Sequence, residues 1–345
     1  MTLKVLELFA GIGACSKALT NLGIDHEIVD AVEIDRPAIQ SFNAVHGTNF
    51  QAQDICTWDK DIDCDLILHG SPCQDYSVAG LQAGGDEGSG TRSSLMYESV
   101  RIIKKLMPKY VIWENVKNLL SINHVHNFEA YQKTLEDLGY INYYAVLNAK
   151  DYGVPQNRER VFTVSIRSDV PGAHDFKFPN RMPLVKKVAD VLEDDVDPKY
   201  YLSQESQDKI LATIKKKGIP EILDDIYKHR PIREYPKYAP TLRAAQACNL
   251  KVVYDDYNSR VRKDQDTIGT LTTNCGNEAV RNGWKIIDYG VRRLTPLEAW
   301  RLMGFSDDDF RRAEASGTTT SQLYKQAGNS IVVDVLMQIL GQIFA

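Results

Sequence analysis

Lys4 to Ser16 reads KVLELFAGIGACS, and this stretch decides the fold. An apolar, β-forming run ends at Phe9, the pair Gly11-x-Gly13 follows, and small residues suited to a helix come next. Glycines there let the backbone turn tightly and let a ligand approach closely, while the N-terminus of the following helix favours negative groups. The unit is therefore strand, tight turn, helix. Working outward, IVDAV, DLILH, YVIWE, NYYAVLNA and RVFTVSI read as further strands up to residue 166. Helical patterns lie between them at Ala14–Leu22, Arg36–Val45, Leu95–Met107 and Phe128–Leu138, with Gly23 and Gly139 as terminators. Such alternation predicts a mainly parallel, doubly wound α/β sheet.

From about Arg167 the rhythm gives way to proline, charge clusters and irregular apolar runs such as DVLEDDVDPKYY, which reads as a second domain. Two phrases near its end, APTLRAAQ and IGTLTTNCG, share Thr-Leu but are too short to make a repeat. After Tyr289 the helical pattern returns. In LTPLEAWRLMGF, Thr295 stands as a cap with Pro296 in the first turn, where proline is tolerated. The later run YKQAGNSIVVDVLMQIL reads as a loop, QAGNS, leading into a strongly apolar helix. That helix needs burial, so the chain is expected to return to the sheet on which it began.

The composition of the 345 residues, 43% hydrophobic and 25% charged, is that of a soluble globular protein. No basic leader is visible, and no segment is expected to reach the roughly 18 to 20 apolar residues of a membrane span, so a cytoplasmic location is expected. The six cysteines form no C-x-x-C pair and no zinc-like spacing with histidine, so neither disulfides nor a metal is expected. The net charge of −5 conceals an uneven distribution. Ile226 to Arg293 hold thirteen Lys and Arg against seven Asp and Glu, and the remainder holds 28 against 39. A nucleic-acid-facing segment on an acidic core would give that partition, although uneven surface charge is also common.

Glu33, in AVEID, closes the second strand twenty residues beyond Gly13, where a carboxylate can accept from ribose hydroxyls. It could equally cap the next helix. Asp54, in QDI, is expected to end the next element and to accept from an adenine amino group. Ser16 stands where a dinucleotide fingerprint would have its third glycine, which favours S-adenosylmethionine over a dinucleotide. In HGSPCQDYSVAG, Cys73 follows a proline directly; it is either a nucleophile held on a stiff turn or a small buried thiol.

With GSPCQDYSVAG, WENVKNL, QNRER and the late Gly328-Asn329-Ser330 added to the glycine loop, the chain resembles the cytosine carbon-5 DNA methyltransferases. The motifs occur in the family's order and cover residues 1–166 and 289–345. The resemblance implies a Rossmann-like, S-adenosylmethionine-dependent methyltransferase sheet built from 1–167 and 289–345. A smaller, irregular β-rich target-recognition domain would occupy 168–288. It further implies that Phe9, Ala10, Gly11 and Gly13 border the methionine end of the cofactor and that Glu33 holds the ribose. Ile34 would pack on adenine, Asp54 and Ile55 contact its edge, and Pro72, Asn329 and Ser330 complete that site. Ser71 and Tyr76 depart from the more frequent family residues without removing a reacting group.

The catalytic residues implied are Cys73, Glu114, Asn115, Arg158 and Arg160. Cys73 as a thiolate would add to carbon 6 of cytosine and turn carbon 5 into a nucleophile. Glu114 would share a proton with ring nitrogen 3 and accept from the exocyclic amine. Arg158 and Arg160 are expected to point to one side, toward the cytosine oxygen or a flanking phosphate; they could equally pair with Glu159 or Asp151. The target base must leave the duplex, and AGLQAGGDEGSGTRSSL suits a loop closing over it. Ser77, Arg92, Arg243, Thr272, Thr273 and Asn274 are candidate DNA contacts, with Thr241 beside them; each is also an ordinary loop or strand residue. The partner expected is double-stranded DNA, for a monomer serving restriction modification or phage protection, with any cognate restriction endonuclease acting separately. The alternatives are a tRNA cytosine-5 methyltransferase, disfavoured by the absence of a Cys-Phe-Thr segment, and a catalytically silent DNA-binding regulator. A nicotinamide-dependent oxidoreductase would explain only the first glycine loop.

Overall fold

The computed structural model describes residues 2–72, 92–208, 212, 252–255, 260–261, 268–269, 271, 284–287 and 291–344. Cys73, Tyr76, Ser77, Thr241, Arg243, Thr272, Thr273 and Asn274 lie outside the described residues, as does the glycine-rich stretch up to Thr91. The side chain of Arg92 also lies outside them; its backbone opens a single 3-10 turn, Arg92–Leu95.

The first half of the chain alternates as expected: β1 (Leu3–Leu8), α1 (Ala14–Leu22), β2 (His26–Val32), α2 (Arg36–His46), β3 (Leu66–His69), α3 (Met96–Leu106), β4 (Tyr110–Val116), α4 (Val125–Asp137) and β5 (Tyr140–Asn148). The short β6 (Gln156–Asn157) and long β7 (Glu159–Arg167) follow. Six strands form one sheet in the order β2-β1-β3-β4-β7-β5. The β1–β2, β1–β3 and β3–β4 pairs are parallel, while β7 runs antiparallel between β4 and β5. α4 begins at Val125, a turn earlier than its apolar spacing suggests.

Side chains alternate between the two faces of this sheet with the period of two that strands impose. Val5, Leu66, Leu68, Ile112, Phe162 and Val164 pack with α1 and the C-terminal helices, whereas Leu6, Leu8, Ile67, Val111, Trp113 and Val161 pack with α3 and α4. Both faces are covered, which is why β1, β3 and β4 read as almost continuous apolar runs.

Past β7, the described strands β8 (Val252–Asp255), β9 (Arg260–Val261), β11 (Trp284–Ile287) and β12 (Val291–Arg293) form an antiparallel sheet in the order β12-β11-β8-β9. Between them in sequence, β10 (Ile268–Gly269) pairs instead with β6. The helices α5 (Pro296–Arg301), α6 (Asp307–Ala315), α7 (Thr320–Asn329) and α8 (Val333–Phe344) complete the chain. Thr295 caps α5 as expected, within a reciprocal box that includes Glu298. α8 packs on α1, which brings the chain back to the sheet on which it began.

Two expectations are corrected in this last segment. QAGN forms the end of α7, and only Ser330–Val332 separate α7 from α8, because Thr320–Asn329 carry an unbroken helical pattern. In addition, Thr320–Phe344 is long and apolar enough, by length and composition alone, to cross a membrane. The stretch is two helices broken at Ser330–Val332, and Val333, Leu336, Ile339 and Leu340 are wholly buried in the core.

Candidate active site

The strand order reverses at β1, whose neighbours β2 and β3 lie on opposite sides and are reached by successive crossovers. In open α/β sheets a crevice forms outside the carboxyl ends of the strands at such a point. The loops that open there are Phe9–Gly13 after β1 and Gly70–Pro72 after β3, with Glu114–Val116 ending β4 beside them. Because β7 is antiparallel, its first residues reach the same edge, and Arg160 pairs in register with Val116.

The glycine loop is held from beneath by Glu7, a buried carboxyl on β1. Its Oε1 accepts from the Ser16 backbone N–H at 3.0 Å and from the Ser16 hydroxyl. It thereby caps the open N-terminus of α1, for which Gly13 has no side chain to offer. Burial pushes the Glu7 carboxyl up to about 7. Phe9 adopts φ +54°, an uncommon conformation for a non-glycine residue that tends to occur at functional turns. Gly13, at φ +80°, lies against His46, and an added Cβ would collide with the His46 ring. Gly11, at φ +56°, instead faces open space among the described residues.

Glu33 closes β2 with its Oε2 on the Gly11 N–H at 3.0 Å and its Oε1 on the Asp35 N–H at 2.8 Å. It ties the residue before α2 to the glycine loop without capping the helix itself, and burial raises its carboxyl above the ordinary value. Ile34 is 68% exposed, an apolar side chain standing next to that carboxylate. Asp54 does not end a strand, contrary to expectation; residues 48–54 carry no regular element, and Asp54 begins a turn in which its carboxylate accepts from the Cys56 N–H. The Gln53 N–H to Glu33 carbonyl bond of 2.8 Å still draws this turn to the end of β2. The Ile55 side chain is buried among Leu6, Trp58 and Val100, so any contact it makes with a ligand is through its backbone.

At the end of β4, Glu114 is buried and Arg160 Nε lies 3.0 Å from its Oε1. The N–H is not aligned on that oxygen, which makes no hydrogen bond among the described residues and retains its acceptor capacity. Asn115 turns the other way: its amide donates to the carbonyl and hydroxyl of Ser71, both at 3.3 Å, and its oxygen accepts from the Val116 N–H. Trp113 Nε1 also donates to the Ser71 hydroxyl, at 3.0 Å. Ser71 therefore ties the segment leading to Pro72 and Cys73 onto β4. Gly70 lies between two other motifs, since a Cβ placed on it would be 3.7 Å from Glu114 Oε2 and 3.5 Å from Ile331 Cδ1.

The two arginines do not share a target, contrary to expectation. Arg160 faces Glu114, whereas Arg158, which lies between β6 and β7, donates to the backbone carbonyls of Leu271, Gly328 and Ser330. The C-terminal turn reaches the crevice from across the chain. Lys325 pairs with Asp35 at 2.8 Å and Gln326 donates to the Pro37 carbonyl, docking α7 on the start of α2. Asn329 is exposed at the end of α7, and Ser330 is buried beside it.

Residues 3–345 match the family described as C-5 cytosine-specific DNA methylase. The chain belongs to that family. The methylase is 34% identical over 397 residues to the type II methyltransferase M2.ScrFI of Lactococcus lactis subsp. cremoris, covering 99% of each chain. It is 31% identical to the orphan methyltransferase M.SPBetaI of Bacillus phage SPbeta, covering 99% of this chain and 97% of that one. Among solved structures, the S. pombe Dnmt2 methyltransferase superposes with a TM-score of 0.69 at 21% identity, covering 98% of this chain and 97% of that one. The Entamoeba histolytica methyltransferase EhMeth does so with a TM-score of 0.68 at 18% identity, covering 100% and 98%. The likeness to these two structures bears on the fold.

The site of the methylase also depends on residues to which the sequence alone assigned no role. Arg101 donates to the carbonyls of Ile55 and Trp58 and so shapes the turn that carries Asp54. Trp113, Ser71 and Gln156 form buried hydrogen bonds between segments distant in sequence. An indole or amide inside an apolar run gives no signal of its bonding partner. Glu7 was more legible, because a carboxylate inside a buried strand requires a partner.

Proposed function

We propose that this methylase transfers a methyl group from S-adenosylmethionine to carbon 5 of a cytosine flipped out of duplex DNA, with Cys73 as the attacking nucleophile. The observation that carries the reading is the convergence of Gly70–Pro72, the Glu114–Arg160 pair and the turn at Gly328–Ile331 on one crevice at the switch point of the sheet. The residues present fit the cofactor: Gly11 leaves open space, the Glu33 carboxylate retains lone pairs for ribose hydroxyls, and Ile34 offers an exposed apolar face to adenine. S-adenosylmethionine held there supplies an electrophilic methyl group.

The protein's own contribution is to make cytosine a nucleophile. The Cys73 thiolate forms a bond to carbon 6, and the displaced ring electrons make carbon 5 electron-rich while charge gathers toward ring nitrogen 3. Glu114 shares a proton with that nitrogen, and its second oxygen accepts from the exocyclic amine, a pairing that thymine cannot offer. Arg160 holds the carboxyl in place and brings positive charge to the crevice. Loss of the carbon-5 proton to water and departure of the Cys73 sulfur restore the ring. Asn115 acts on the reaction through Ser71, and Arg158 through the backbone. Residues 168–288 supply target recognition in this reading.

The test is expression in a host lacking cytosine methylation, followed by bisulfite sequencing of its plasmid. Methylation at one short recurring sequence is expected, and Cys73→Ala should abolish it while leaving a folded protein that binds the cofactor. Glu114→Gln should lower turnover by about 100-fold or more with little change in DNA affinity; an equal loss of both would remove its transition-state role. An unmethylated plasmid in cells making folded, cofactor-binding protein would favour an RNA substrate or a silent regulator.

A further inference from the structure

We propose that Gln156 and Arg158 form a buried latch coupling the recognition region to the turn that closes the cofactor site. The inference rests on the assignment of residues 168–288 to target recognition and of Gly328–Ser330 to the cofactor site. It gives Gln156 a role, and it makes Arg158 a positioning residue instead of a substrate contact.

Gln156 is wholly buried. Its amide donates to the Leu302 carbonyl at 2.8 Å, and its Oε1 accepts from the Leu271 N–H at 3.2 Å. Arg158, 4% exposed, donates through Nη1 to the Leu271 carbonyl at 3.1 Å. Two side chains of one short segment thus engage both polar groups of a single backbone residue in the recognition region. The same segment binds that region through its own backbone: the Ile268 N–H donates to the Pro155 carbonyl at 2.9 Å, and β10 pairs with β6.

The other half of the guanidinium holds the cofactor side. Nη2 of Arg158 donates to the Ser330 carbonyl at 2.9 Å and to the Gly328 carbonyl at 3.3 Å. In a dry interior, a charged donor withdrawn from a carbonyl leaves buried polar groups unsatisfied, which is costly. If Leu271 shifts, Arg158 must follow it or lose that bond, and the carbonyls at 328 and 330 are affected in either case. Arg160, two residues further on, carries the same displacement to Glu114. Engagement of DNA by the recognition region and closure of the cofactor site are therefore linked through one planar side chain.

The experiment measures binding of S-adenosylhomocysteine by calorimetry, with and without a duplex carrying the sequence mapped by bisulfite sequencing. For the wild type, the duplex should tighten binding by about fivefold or more. Arg158→Lys keeps the charge but cannot span three carbonyls. It should reduce the tightening, read as the ratio of affinities with and without the duplex, to less than about twofold, whatever its effect on cofactor affinity in the absence of DNA. Gln156→Met, of similar volume but without an acceptor for the Leu271 N–H, should also lower the coupling and decides the matter if Arg158→Lys does not fold. Wild-type coupling in a folded variant, or a methylating wild type without coupling, overturns the latch alone. A wild type that leaves the plasmid unmethylated overturns the functional assignment as well.

Discussion

Glu7 shows how one buried carboxyl can set both the shape and the pH response of the site. Its Oε1 caps α1 and so fixes the turn through Gly11 and Gly13, but burial raises the folded-state value from 4.5 to about 7. Between those values the unfolded chain has released the proton while the folded protein retains it. The folded state then binds more protons, so stability falls as pH rises through this window, by a total of about 3 kcal/mol. Gln at this position keeps an oxygen for the Ser16 N–H and has nothing to ionise. Glu7→Gln should therefore gain stability over the wild type as pH rises from 5 to 8, read from urea midpoints of both proteins at each pH. A difference that does not vary with pH would refute the assignment. The need of Glu7 for a partner was legible in KVLELF, but that the partner is a helix terminus depends on α1 folding back over β1. Cys73, Glu114 and the glycines were legible as motifs, whereas the divergence of Arg158 from Arg160 was not, because alternation along a strand does not apply to Arg158, which lies between β6 and β7.

Among the elements, the junction of β12 with α5 joins the small sheet to the C-terminal helices. Arg292 on β12 and Glu298 on α5 form a doubly bonded ion pair with both side chains fully buried. Glu298 also accepts from the N–H groups of Thr295 and Glu193, so one carboxylate gathers the strand, the helix cap and the segment before it. A pair of this kind adds little relative to well-packed apolar residues, but loss of one member strands the other without water. Arg292→Met should destabilise the protein by about 3–5 kcal/mol, and adding Glu298→Gln should recover part of that loss, as measured by denaturant unfolding of the single and double variants. A near-neutral single variant would show that water reaches the pair. At this scale the capping role of Thr295 was readable from LTPLE, because its chemistry is local. The pairing of Arg292 was not, since nothing in the spacing from Arg292 to Glu298 distinguishes it from a surface contact. The same contrast separates the strands, legible by their apolar runs, from the turn at Asp54, where Arg101 and Gln53 impose the shape from outside.

For the molecule as a whole, the proposed cofactor site draws on both ends of the chain, and the apolar α8 is what joins them. The strongly apolar run after Ser330 already implied burial against the first domain, and α8 lies on α1, directly behind the glycine loop. The sheet order was less legible: the position of β7 between β4 and β5 follows from long-range pairing that no local pattern encodes. α8 buries Val333, Val335, Leu336, Ile339 and Leu340 almost completely. At about 1.5–3 kcal/mol for each such side chain, their removal from water is worth about as much as the entire stability of a typical domain, about 5–15 kcal/mol. A chain lacking Val333–Phe344 keeps Glu33, Gly11, Asn329 and Ser330, yet it exposes the apolar face of α1 and the strands beneath. It should fail to unfold cooperatively in a thermal melt and should lose S-adenosylhomocysteine binding in calorimetry, although none of the deleted residues is among those proposed to hold the cofactor. A shortened chain that melts sharply and binds with wild-type affinity would mean that the first βα units hold the site unaided, and that the return of the chain serves only to bring Ser330 to Arg158.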